Sequence, residues 1–276
     1  MQHRRILLTT LAILLSFSKH LAAEEVVRIG GTGMGTLLIE HLIDDYRKIH
    51  PDAQIRTMQP PLGSSSGLRA LAAQAIDIAV VAARRDLPPA PDDPANTRRL
   101  PWVTTPLVFT GRDLGHTPSL TLEQVADIYR GRTVEWPDGK PVRLITRTER
   151  EFDTRALRAM SPGMNEAISI ATQRKGIPFA ENDVVNEQLL ESVPASFGAV
   201  GLGQLLLAAS PLKPLAINGV RPTPENLLNG SYPYEKPLYL VFAKMPSAAA
   251  SAFLAYLQSP RILKSLAQQG FVPISK

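Results

Sequence analysis

The stretch "PPLGSSSGLRALAAQAIDIAVVAARRD", residues 60–86, places a glycine, three serines and a second glycine directly before a helical pattern and an apolar run. Its spacing predicts a helix from about Leu68 to Ala75, then a buried strand over "IDIAVVA". Upstream, "VVRIGG" (26–31) reads as another short buried strand. It is followed by "TLLIEHLIDDYRKIHP", in which Leu37, Leu38, His41, Leu42, Asp45 and Tyr46 trace helical spacing and Pro51 lies just past the end. "AQIRTMQ" is a further strand candidate. Strands alternating with helices imply parallel βαβ units, and so an α/β protein.

Downstream, residues 87–101 are rich in proline and charge and read as a surface connection, after which "VTTPLVFTG" resumes an apolar strand. "SLTLEQVADIYRG" carries a capping signature at Thr121 and a glycine stop at Gly131. "PVRLITR" is a strand, followed by a helical region from about Thr154. "FGAVGLGQLLLAA" reads as a strand and helix start, and "KPLYLVFAK" as a strong strand. Two helices, 247–258 and 260–269, precede the tail "GFVPI".

The N-terminus has the order of an export signal: His3, Arg4 and Arg5, an apolar run from Ile6 to Phe17, then the small residues of "HLAAEE". Cleavage is expected after Ala23, leaving a soluble periplasmic protein with no stable membrane insertion. With no cysteine in the chain, disulfides, thiolate metal sites, cysteine nucleophiles and a lipidated N-terminal cysteine are excluded. The formal charge is +5, and loss of Arg4, Arg5 and Lys19 with the signal leaves 27 basic against 25 acidic residues. That balance, with no lysine/arginine block or aromatic ladder, argues against nucleic acid as a partner. The histidines show no metal-ligand spacing, and no metal or other cofactor is expected. Trp102 and Trp136 read as packing residues.

Two loops could hold an anion. Gly31, Thr32, Gly33, Met34, Gly35 and Thr36 join a strand to a helix, where glycines let several backbone N–H groups converge and Thr32 or Thr36 adds a hydroxyl. The same residues also suit a tight turn with a helix cap. They form no P-loop, since no Lys-Ser/Thr follows, and no complete dinucleotide fingerprint. The second loop, Gly63, Ser64, Ser65, Ser66 and Gly67, suits an anion at a helix start, a plain cap, or a hydrolase elbow centred on Ser65. The last needs a downstream acid and then a histidine, and only His116 follows.

The segments "GGTGMGTLL", "GSSSGLRALAAQAIDIAV", "LTLEQVADIYRG", "PVRLITR", "GAVGL", "GVRPTPENLLNGSYPYEKPLYLVF" and "FLAYLQSPRILKSLAQQGFVPI", in this order, resemble the periplasmic phosphate-binding proteins of ABC transporters and their solute-binding relatives. The resemblance implies a two-lobe periplasmic-binding-protein fold. Each lobe would be a mixed, mostly parallel sheet flanked by helices, with two crossing strands, "LVFTG" and "PLYLVF", as the hinge. After the signal (1–23), lobe one would comprise 24–111 plus 238–276 and lobe two 112–237. The implied function is non-enzymatic: lobe closure on a small oxyanion, phosphate or a relative, read by a membrane permease or sensor. The implied contacts are Thr32, Gly33, Met34 and Thr36 with Ser64, Ser65 and Ser66 from lobe one, and Arg147 with Thr154 from lobe two.

The sequence departs from the family pattern in two places. Val81, Ala82 and Ala83 stand where phosphate binders carry an acid or serine, and Glu151, Phe152 and Asp153 stand where a Gly-Ser-Gly-Thr loop belongs. Bulk and negative charge there oppose a dianion. The departures leave an alternative role open beside the oxyanion-binding one, a periplasmic sensory or interaction protein that kept the fold and lost high-affinity phosphate binding. Arg147 and Arg150 could serve another anion, or Arg150 could pair with a surface acid.

Overall fold

The computed structural model describes residues 25–84 and 94–274; the expected signal segment and residues 87–93 of the proline-rich connection lie outside them. The chain opens with β1 (Val27–Gly31), α1 (Gly33–Ile49), β2 (Ile55–Thr57), α2 (Ser64–Ala72) and β3 (Ile78–Ala82). A long strand, β4 (Thr97–Thr110), leads to β5 (Ser119–Leu120), α3 (Leu122–Arg130), β6 (Arg143–Leu144) and β7 (Thr146–Arg147). Then come α4 (Phe152–Met160), α5 (Pro162–Ala171), β8 (Phe179–Ala180), α6 (Asp183–Ser192), β9 (Ser196–Gly201), α7 (Leu202–Leu207), β10 (Ala216–Ile217) and α8 (Pro224–Leu228). The return strand β11 (Glu235–Ala243), α9 (Ala248–Leu257), α10 (Pro260–Ser265), a 3-10 turn (Leu266–Gln269) and β12 (Val272–Pro273) complete it.

The fold is α/β. The main sheet runs β2-β1-β3-β11-β4-β9-β6, with β12 also on β4. β1 pairs in parallel with β2 and β3, and β6 with β9, whereas β4 and β11 run antiparallel between these groups. Residues 97–106 of β4 pair with β11, and Leu107–Thr110 pair with β9. One strand therefore serves two bodies of structure. The apolar packing divides at the same place: Trp102 and Val103 belong to a core with α1, β1, β3, β11 and α9, while Leu107 and Phe109 belong to one with α3, α5 and Phe197 of β9.

Local chemistry explains the ends of these elements. Thr121 and Gln124 form the reciprocal capping box of α3, and Gly131 ends that helix in the left-handed region. Gly31, at φ 143°, permits a close pass of β1 along β3, because a Cβ there would lie 1.9 Å from the carbonyl oxygen of Val80.

Several expected boundaries shift. The second helix begins at Ser64 rather than Leu68, so the serines form its first turn instead of a loop before it. Residues 97–101, expected in a surface connection, are strand, because β11 supplies hydrogen-bond partners that composition does not reveal. "PVRLITR" is two short strands in different sheets. The helix expected from Thr154 begins at Phe152.

Candidate functional site

Thr32 caps α1, its hydroxyl accepting the Gly35 N–H at 2.9 Å. The next free end of that helix, the Met34 N–H, is not left to solvent or to a ligand. It donates to Oδ2 of Asp183, 3.0 Å away, at the start of α6. Gly33 allows this approach, since a Cβ on it would stand 2.9 Å from the Asp183 Cβ.

The other oxygen of Asp183 meets two cations: Nη1 of Arg147 at 2.8 Å and Nζ of Lys236 at 2.7 Å. Both cations also hold Asp153, Arg147 at 2.9 Å and Lys236 at 2.8 Å. The Arg147 Nη2 reaches Glu151 at 2.9 Å. Side-chain exposure is 5% or less for Arg147, Lys236, Asp153 and Asp183, so this is a buried cluster rather than a surface salt bridge. Glu151 is its wetter edge, and a Cβ placed on Gly63 would lie 3.6 Å from its Oε1. The start of α2 thus also faces one of the protein's own carboxylates.

Burial works against charge on Asp183, but Lys236, Arg147 and the Met34 amide outweigh it and hold its carboxyl well below the usual range. Burial likewise opposes the charge on Lys236, and Asp153 and Asp183 overcome it to hold the ammonium above its ordinary value. Glu151 behaves oppositely. Its burial, only partly offset by Arg147 and aggravated by Asp183 and Asp153, raises its pKa. With two cations facing two buried carboxylates and Glu151, the cluster carries no positive excess for an incoming anion.

The structure brings Gly33, Met34 and Arg147 of the expected contacts together, through Asp183. Thr154 serves the cluster indirectly, its hydroxyl donating to the Arg147 carbonyl at 3.2 Å. Thr36 is buried with no hydrogen-bond partner for its hydroxyl among the described residues. Ser64 accepts the Ala82 N–H at 3.0 Å and so fastens α2 to β3, while Ser66 accepts from Arg69 at 2.8 Å. Ser65 is half-buried. Glu151 and Asp153 turn to Arg147 rather than to solvent, and Phe152 packs into the core formed by α1, β1 and β3.

Asp183 and Lys236 escape a reading of the sequence. A signal exists for Lys236, because a lysine inside the apolar run "EKPLYLVFA" must find a partner if that strand is buried. Asp183 resembles an ordinary first-turn acid after the Asn182 cap.

Residues 18–261 match the model of the PBP superfamily domain. The chain belongs to the PBP superfamily. Among solved structures, it is similar to a Clostridium perfringens protein with bound phosphate, described as a phosphate ABC transporter substrate-binding protein: 19% identity over 91% of this chain and 100% of that one, TM-score 0.74. An ABC-type phosphate transport receptor from Vibrio cholerae is similar at 16% identity, 90% and 100% coverage and a TM-score of 0.62. A phosphate-binding protein from Stenotrophomonas maltophilia shares 14% identity over 92% of this chain and 91% of that one, TM-score 0.60. At these identities the likeness establishes the two-lobe PBP fold. No curated relative matches the chain in sequence. Among the described residues no group of three or more His, Cys, Asp or Glu could hold a metal ion, and no helix is long and apolar enough to cross a membrane.

Proposed function

We propose that this is an exported, periplasmic solute-binding-type protein whose interlobe anion site is filled by its own Asp183. In this reading it presents closed lobes to a membrane partner as a sensory or interaction protein and does not carry phosphate at high affinity. The observation that carries the proposal is the Asp183 carboxylate itself, held by a helix-start amide, Arg147 and Lys236 as a bound oxyanion would be. The lobes are residues 24–111 with 238–276, and 112–237. The crossing in β4 and the split of the two cores support a division of this kind, with the change of partner between Pro106 and Leu107, a few residues before position 111.

The second reading is uptake of a small oxyanion, phosphate or a relative, delivered to a permease after closure on the ligand. It is favoured by the convergence of the Met34 amide with Arg147, which suits an anion if Asp183 withdraws when the lobes part. Calorimetric titration of the mature protein with phosphate and sulfate separates the two. Heat of binding absent below millimolar phosphate is expected; submicromolar affinity would establish the carrier reading and remove the first.

A further inference from the structure

A cavity of about 400 Å³ opens between α4 and the linking strands, lined by Leu107, Phe152, Ala156, Met160, Tyr234 and Pro237. It lies apart from the starts of α1 and α2, and among the residues discussed for the anion site only Phe152 borders it. We propose that it is a binding site for a small uncharged aromatic molecule, one ring or two fused rings in size.

Three observations point to that class. The volume falls within the roughly 300 to 1,000 Å³ typical of small-molecule sites and far exceeds the needs of an inorganic oxyanion. The walls are mostly carbon. Phe152 and Tyr234 contribute aromatic side chains to the lining, and the flexible thioether of Met160 suits contact with a ring. Finally, the charges that complete the lining, Arg84 and Glu235, are of opposite sign and each is engaged within the protein, Glu235 accepting from Thr104 at 3.0 Å. A charged ligand would therefore be desolvated with no net opposite charge to receive it. The Tyr234 hydroxyl remains as a polar handle, kept protonated by burial, which raises its pKa.

The probes are phenol and indole, titrated into the mature protein by ligand-observed NMR and calorimetry, with benzoate and benzylamine as charged counterparts. Saturable binding of phenol or indole is expected, at least tenfold tighter than either charged compound. Ala159 borders the cavity from an exposed helical position, so Ala159→Trp should fold normally by circular dichroism and weaken the neutral probes tenfold or more. No saturable binding of phenol or indole, preference for a charged probe, or unchanged affinity in Ala159→Trp would overturn the proposal. Phosphate titrations bear on Asp183 alone, so the failure of one proposal is distinguishable from failure of the other.

Discussion

The Met34 N–H donates to Asp183 at 3.0 Å, joining the first turn of α1 to the first turn of α6. Because the same carboxylate neutralises Arg147 and Lys236, Asp183→Asn leaves the two buried cations sharing Asp153, with Glu151 at the wetter edge on Arg147 alone. Removing one partner of a buried ion pair typically costs about 3 to 5 kcal/mol, and chemical denaturation should report a loss of that order. The vacated position should then accept an external anion. Excess sulfate is expected to raise the thermal midpoint of Asp183→Asn and to leave the wild type unchanged apart from the general salt effect.

The pH response carries a sign for each acid. The folded carboxyl of Asp183 lies below its ordinary value of 3.8, so its contribution is complete above that value and is lost as pH falls below it. The acid limb of the wild-type stability curve should therefore be steeper below about pH 4 than that of Asp183→Asn. Glu187 is shifted the other way: burial raises its pKa, with the Gln204 hydrogen bond offsetting only part of it. A raised acid favours the folded state when protonated and opposes it as pH rises through the folded value. Glu187→Gln should stabilise the protein at pH 7 and lose that advantage near pH 4, as measured by paired denaturation curves.

Substitutions at Gly33 and Ser65 separate the anion position from the serine turn. Gly33→Ala drives a methyl against the Asp183 side chain, and overpacking of this kind costs about 1 to 3 kcal/mol. Small-angle scattering should show a more open average shape for this variant. Ser65→Ala, by contrast, removes a single half-buried hydroxyl and should change stability by no more than about 1 kcal/mol.

Phe152 opens α4 and packs into the core built on α1, β1, β3 and β11. Phe152→Ala should destabilise the protein by about 3 to 5 kcal/mol. It should also loosen the lobes, and amide exchange should quicken in α1 as well as in α4.

The sequence makes the strands legible wherever they are apolar and short, and the α3 cap wherever a Thr-x-x-Gln pair meets a terminal glycine. Residues 97–101 misled because their two arginines and one proline mask a strand paired by a segment more than 130 residues away. In the site, the resemblance pointed to Arg147 and Met34, which the structure places on the Asp183 carboxylate. The pairing of Arg147 with Asp183 and of Lys236 with both aspartates was not, because those contacts span 36 to 83 positions and no local period encodes them. Glu151 and Asp153 were legible as misfits, and their partner is the very arginine expected to hold a ligand.

Asp183 is attached to the protein whose cation site it fills, so its rivalry with any free anion is a matter of effective concentration. Groups tethered by short flexible linkers reach about millimolar local concentrations. Asp183 is held on a folded helix, with less freedom to wander than such a linker allows. A free oxyanion present at micromolar levels thus begins about a thousandfold behind in occupancy, even with equal intrinsic affinity for Arg147 and Lys236. Changing the reach of Asp183, by Asp183→Glu or by a residue inserted before Asn182, would tune that handicap without altering a single cation.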